Sequence, residues 1–231
     1  MNSVYLDGTY LHKHPTWHVE DSAWKARYII DIMTTNGLEP ATVCEVGCGA
    51  GGILSCLCHQ MAESVVFDGY EISPQAFDLC QDRENSRLRF HLKDLLEEEQ
   101  AFFDVVLCID VFEHVEDYLG FLRRLREKGV YKIFHIPLEL TLRRVLSTSR
   151  LISSRQSYGH IHYFAKETGL ATLKDAGYEI IDYFYTPCSV EVPYRTARSR
   201  LLELPRTCLF SLNQDLAVKI LGGYSLMVLG R

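Results

Sequence analysis

From Ala41 onward, short apolar runs alternate with longer stretches of mixed polarity. "TVCEV" is followed by "GILSCLCHQM", "VVFDGYEI" by "PQAFDLCQDR", and "FDVVLCID" by "VEDYLGFLRRLREKG". A strand-then-helix rhythm of this kind predicts a parallel sheet with helices on both faces, because each helix carries the chain back to start a neighbouring strand. "VYKIFHIP", stopped by Pro137, is the next strand. The helix "FAKETGLATLKDAGY" leads into "YEIIDYFY", and "YSLMVLG" reads as a last, hydrophobic strand.

Three segments fall outside the rhythm. Residues 1–36 begin irregular and aromatic and become helical, with Asp21 or Ser22 as the expected cap. Residues 138–157 have apolar positions at near-helical spacing and carry Arg143, Arg144, Arg150 and Arg155; residues 189–215 carry a second arginine group in "YRTARSRLLELPR". Neither an internal repeat nor a low-complexity linker divides the 231 residues, so a single domain with substrate-side insertions is expected.

Composition narrows the function. A formal charge of −6 disfavours a general nucleic-acid binder, which needs a net basic surface. Eight cysteines are scattered through apolar runs, without a charged-then-apolar leader, and read as buried thiols in a reducing, cytoplasmic compartment. In "CLCH", Cys56 and Cys58 point apart on a helix and make a poor metal site. No apolar run approaches the roughly 20 residues that a membrane span needs.

The chemistry begins at "VCEVGCGAGG". Gly47, Gly49 and Gly52 fit the dinucleotide pattern G-x-G-x-x-G, while Glu45, Gly47, Gly49 and Gly51 fit E-x-G-x-G-x-G equally well. A pyrophosphate on the helix N-terminus would be opposed by Glu45, whereas a cationic amino group and a sulfonium are favoured by it. The acid therefore points to S-adenosylmethionine over NAD. Glu71, about 20 residues past the loop, is placed to accept from ribose hydroxyls, a feature both cofactors share.

With "EVGCGAGG", "GYEISP", "HLKDLLE" and "FDVVLCIDVFEHVED" in that order, residues 20–177 resemble the class I S-adenosylmethionine-dependent methyltransferases. The last motif is most similar to the branch of ubiquinone-type and natural-product O- and N-methyltransferases. The resemblance implies a Rossmann-like sheet of seven mostly parallel strands with helical insertions after the fifth and sixth strands. It implies Glu45, Gly47, Gly49 and Gly51 as the methionine-binding loop, Glu71 and Ile72 at the ribose and adenine, and Asp94 and Leu95 at the adenine amino group. It puts Asp110 beside the sulfonium, with Tyr10, His14 and Trp17 closing the pocket. S-adenosyl-L-homocysteine is then the product.

A hydroxyl acceptor needs a general base, and histidine is the usual choice near neutral pH. "GHIHYF" offers His160 and His162, which share a face if the stretch is extended; His135 in "FHIP" competes. Asp110, Glu113 and His114 form D-x-x-E-H. Related ubiquinone-type enzymes use this region for a divalent ion, but bracing of a helix start is the preferred reading, and no metal is expected. The function expected is methylation of a hydroxyl, or secondarily an amine, on a small-molecule, glycan-precursor or natural-product acceptor. The insertion arginines favour an anionic one. RNA methylation, NAD-dependent oxidoreduction and a non-catalytic donor-binding module are the competing classes.

Overall fold

The computed structural model describes Tyr5, residues 8–191 and residues 201–231. Its sheet has seven strands: β1 Thr42–Val46, β2 Val66–Glu71, β3 Leu88–Leu92, β4 Phe103–Ile109, β5 Gly129–Pro137, β6 Ile180–Thr186 and β7 Ser225–Gly230. Their order is β3-β2-β1-β4-β5-β7-β6. β1 to β5 are parallel, and β7 is inserted antiparallel between β5 and β6. The expected α/β architecture is the observed one. β3, "LRFHL", was not among the runs singled out by the alternation: it is a short edge strand whose apolar positions, Leu88 and Phe90, alternate with Arg89 and His91.

Among the described residues the α-helices are α1 Thr9–Lys13, α2 Ser22–Thr35, α3 Gly52–Gln60, α4 Pro74–Cys80, α5 Tyr118–Arg126, α6 Leu142–Val145, α7 Ser149–Tyr158, α8 Lys166–Asp175, α9 Cys188–Glu191, α10 Glu203–Leu212 and α11 Gln214–Leu221. Asp21 occupies the N-cap position of α2 but makes no side-chain capping bond. Strand periodicity sorts the core onto two faces. Val106 and Cys108 of β4 join Phe134 and Ile136 on one, whereas Val105, Leu107 and Ile109 join Ile133 and Met227 on the other. The described parts of the insertions after β5 and β6 are helical as expected; the stretch of the second that carries Arg195, Arg198 and Arg200 lies outside the described residues. Among the described residues no helix is long and apolar enough to cross a membrane, and all eight cysteines are free thiols.

The strand order places the site. After β1 the chain builds outward through β2 and β3, then returns to lay β4 on the other side of β1. Crossovers that diverge in this way leave a crevice at the carboxyl ends of β1 and β4. The turn after β4 is pinned into the core by Phe112, which is fully buried with its ring 5.1 Å from Phe164 and 6.4 Å from Phe134. Truncation there removes packing that the turn cannot replace. Phe112→Ala is expected to cost about 3–5 kcal/mol in urea unfolding; a loss under about 1 kcal/mol would show that the turn is held by its polar contacts instead.

Candidate active site

β1 delivers Glu45 to the crevice and ends in a glycine turn. Gly47, Gly49 and Gly51 have φ of 66°, 54° and 72°, a region that side chains disfavour. The N–H groups of Gly47 and Cys48 donate to the Tyr70 carbonyl, closing the turn against β2. A Cβ at Gly49 would lie 2.7 Å from Cδ1 of Trp17, so only glycine lets the indole rest on the backbone. Gly51 caps α3 beneath Phe90 and lies outside the walls of the cavities described below.

Carboxylates line the strand ends, each differently compensated. Glu71 braces the loop: Oε2 accepts from the Gly49 N–H at 2.8 Å, and Oε1 from the N–H groups of Ile72 and Ser73 at 2.9 and 2.8 Å. Burial raises its pKa against these bonds. Glu45 is 2% exposed and its Oε2 has no hydrogen-bond partner among the described residues. Burial pushes its carboxyl well above the usual range; Lys25 opposes this, and Glu71 and Asp110 add to it. Asp110 has a left-handed φ of 55°, unusual for a non-glycine residue. Lys25 Nζ lies 2.8 Å from its Oδ2, and His135 Nδ1 lies 2.7 Å from its Oδ1. Burial would raise Asp110, but His135 and Lys25 hold it below the usual range.

The histidines separate. With Asp110 ionised, His135 Nδ1 is the donor, so its Nε2 accepts from the Thr186 hydroxyl at 2.9 Å. This candidate base is engaged at both nitrogens. Gly159–Phe164 is irregular rather than extended, with one isolated bridge between Leu138 and Phe164, so His160 and His162 do not share a face. His162 turns to the Val115 carbonyl, 2.9 Å from Nε2, packs on Tyr118 and lies outside the walls of the cavities. His160 turns inward, its Nδ1 2.8 Å from Oε2 of Glu139. Oε1 of Glu139 accepts from Ser154 at 2.7 Å and from Arg144. Burial raises Glu139, yet His160 and Arg144 win and hold it below the usual range.

Two cavities meet at these residues. One, of about 180 Å³, is lined by Glu71, Ile72, Asp94 and Leu95. The other, of about 370 Å³, is lined by Glu45, Gly49, His135, Glu139 and His160. Tyr10, Trp17, Gly47, Asp110 and His114 belong to both walls. Asp94 uses Oδ1 to accept from the Leu96 N–H at 2.9 Å, which aims the start of its turn. Tyr10 packs between Tyr5 and Trp17, at 4.9 and 4.8 Å between ring centroids. His14 faces away from both cavities, bonding the Ser157 carbonyl at 2.9 Å and stacking on Tyr158.

The sequence motif D-x-x-E-H does not act as one unit. Asp110 is committed to Lys25 and His135, while Glu113, His114 and His160 each offer an atom within 4.8 Å of the others. Both carboxylate oxygens of Glu113 are buried without a hydrogen-bond partner among the described residues. Burial, then Asp110, push that carboxyl well above its usual range. Two imidazoles and a carboxylate are a donor set that could hold a divalent ion.

A family model described as a methyltransferase domain matches residues 21–183. The chain belongs to this methyltransferase family. It is a class I, S-adenosylmethionine-dependent methyltransferase by motif order and fold. Over 114 residues it is 29% identical to the ubiquinone biosynthesis O-methyltransferase of Rickettsia bellii (strain OSU 85-389), covering 46% of this chain and 47% of that protein. The corresponding Rickettsia felis protein is 30% identical over 105 residues, 44% of this chain and 43% of its own. The methyltransferase thus spans about half the length of the curated relatives it matches. Among solved structures it resembles the magnesium protoporphyrin IX methyltransferase of Synechocystis PCC 6803 with bound SAH, at TM-score 0.59 and 16% identity over 94% of this chain and 85% of that one. It also resembles the N-methyltransferase NodS of Bradyrhizobium japonicum WM9, at TM-score 0.56 and 13% identity over 90% and 93%.

Sequence reasoning missed Lys25, Glu139, Thr186 and Tyr5. The aromatic cover that includes Tyr5 is a titratable one. The Tyr5 hydroxyl donates to the Tyr158 carbonyl at 2.7 Å, so it accepts from His114 Nδ1 at 2.8 Å. Burial lowers His114 from 6.5 to about 4, helped by His160, and lowers His18 to about 4, helped by His14 and Lys25. Because the folded pKa is the lower one, the packing around these histidines contributes its full stability above about 6.5 and loses it as pH falls toward 4, where the unfolded state binds more protons. Trp17 fluorescence is expected to change across that interval, and His18→Asn, which tolerates the left-handed φ and does not titrate, is expected to shrink the change. An unaltered Trp17 signal down to pH 4 would contradict the coupling.

Proposed function

We propose that this methyltransferase methylates a hydroxyl group on a small anionic acceptor, with His160 as the general base. The observation that carries the reading is the Glu139–His160 pair at 2.8 Å, in the wall of the cavity that also contains Glu45, Gly47 and Gly49. The O-methyltransferase names of the curated relatives agree with a hydroxyl acceptor.

The residues fit the donor. Glu45 presents a buried, unpartnered carboxylate oxygen, the complement of a cationic amino group. Gly47 and Gly49 permit close backbone approach, and Asp110 stands where the two cavities join. Glu71, Ile72, Asp94 and Leu95 would hold the ribose and adenine, with Tyr10 and Trp17 as the cover. Three N–H groups already occupy Glu71, so it holds the loop as well as a sugar hydroxyl. S-adenosylmethionine supplies a methyl group already activated on a sulfonium.

The chain's own task is to orient the acceptor, exclude water and take one proton. Glu139, kept ionised, accepts from His160 Nδ1–H and so leaves the lone pair on Nε2. A hydroxyl proton would pass to that atom while the imidazolium formed is stabilised by Glu139. His135 cannot do this without breaking its bond to Thr186.

Two measurements test the reading. Methyl transfer from isotopically labelled donor into a metabolite extract, followed by mass spectrometry, is expected to fall on the order of 100-fold in His160→Ala while S-adenosylhomocysteine affinity is kept. Undiminished transfer would remove His160 from the role. Glu45→Gln is expected to weaken S-adenosylhomocysteine binding by about 10-fold or more, the loss of a charged hydrogen bond, while raising the stability of the ligand-free protein by relieving a buried carboxylate. Equal affinity in both proteins would mean that the amino group lies elsewhere.

A further inference from the structure

Beyond His160 the central cavity continues into a third, of about 330 Å³, and Arg144, Tyr158, Ser189 and Gly223 belong to both walls. The third cavity is lined by Arg143, Arg144, Arg150 and Arg206, with hydroxyls from Thr141 and Ser153, and among the described residues its wall contains no aspartate or glutamate. In a chain of net charge −6, that concentration of cations is a local reversal of sign. α6, α7 and α10 each contribute to it.

The guanidinium groups are differently held. Arg206 is 5% exposed, donates from Nε to the Gly222 carbonyl at 2.9 Å, and lies against Gly223, where a Cβ would come within 2.7 Å of its Cζ. Arg144 is tied to Glu139 and Ser154. Arg150 makes no side-chain hydrogen bond or ion pair among the described residues. Arg155, the fourth arginine of the first insertion, is exposed on α7 and lies outside the wall.

We propose that this cavity binds a phosphate or diphosphate group carried by the methyl acceptor. A single guanidinium fork saturates a carboxylate, whereas a phosphoryl group presents enough oxygens to engage several forks and hydroxyls arriving from different helices. The shared wall puts the anion beside the cavity where His160 would meet the hydroxyl, so the proposal rests on the acceptor reading above and specifies it. Phosphate on a soluble metabolite and phosphate on a lipid headgroup have the same chemistry here.

Calorimetry with inorganic pyrophosphate at low ionic strength, on the full chain with S-adenosylhomocysteine present, tests it. Pyrophosphate is expected to bind, about 10-fold or more weakly in Arg150→Gln and unchanged in Arg155→Gln. Absence of binding, equal binding in Arg150→Gln, or no preference over acetate overturns the proposal. S-adenosylhomocysteine affinity in the same samples controls for folding, and the His160→Ala transfer assay separates the two readings: His160-dependent transfer without pyrophosphate binding sinks only this one. Sedimentation with phosphatidylglycerol vesicles, compared with phosphatidylcholine alone, identifies the source. Arg150-dependent sedimentation that pyrophosphate reverses assigns the phosphate to a lipid, and pyrophosphate binding without sedimentation assigns it to a soluble acceptor.

Discussion

Negative charge crowded at the carboxyl ends of neighbouring strands is the constraint on which the rest of this structure depends. Glu45, Glu71 and Glu113 are buried there, and Asp110 stands half-buried among them. Carboxylates removed from water need partners or protons. Each is treated differently: Glu71 is saturated by backbone N–H groups, Asp110 is paired with Lys25 and His135, and Glu45 and Glu113 are left with unpartnered oxygens whose protonation burial favours. The same arrangement costs stability in the free protein and suits a cationic guest, which relieves the carboxylate it meets.

The compensation ties the N-terminal segment to the sheet. Lys25 reaches Asp110 from α2, whose apolar stripe of Ala26, Ile29 and Met33 is buried in the core. One short turn before that helix, Trp17 and His18 have positive φ, laying the indole on Gly49. Among the described residues, positive φ outside glycine occurs at Trp17, His18 and Asp110 and is therefore concentrated around one crevice. Local strain of this kind persists only where surrounding packing over-determines it, and here the aromatic cluster of Tyr5, Tyr10 and Trp17 supplies that packing.

What was legible in the sequence was whatever repeats locally. The strand-and-helix alternation carried the architecture because buried parallel strands read as continuous apolar runs, and it passed over β3 because an edge strand, half exposed, does not. The glycine loop was legible because three positive φ values demand glycine. The two histidines of "GHIHYF" were not distinguishable, since an extended segment would have put them on one face and the irregular chain sends one to Glu139 and the other to the Val115 carbonyl. Lys25 and Glu139 were invisible for a different reason. Their importance lies wholly in partners distant along the chain, Asp110 for one and His160 for the other, and neither residue belongs to a short motif.

Glu139 also joins the two electrical halves of the crevice. Toward the glycine loop the walls carry carboxylates, and toward the insertions they carry guanidinium groups. Between them Glu139 accepts from His160 on one oxygen and from Arg144 and Ser154 on the other. Those donors keep it ionised, and its ionisation fixes which nitrogen of His160 carries the proton. The His160 tautomer thus depends on an arginine supplied by the insertion after β5. Under the proposed reading the insertion therefore helps to set the base, because removing its cation would weaken the carboxylate that orients the imidazole even if every residue of the glycine loop stayed in place.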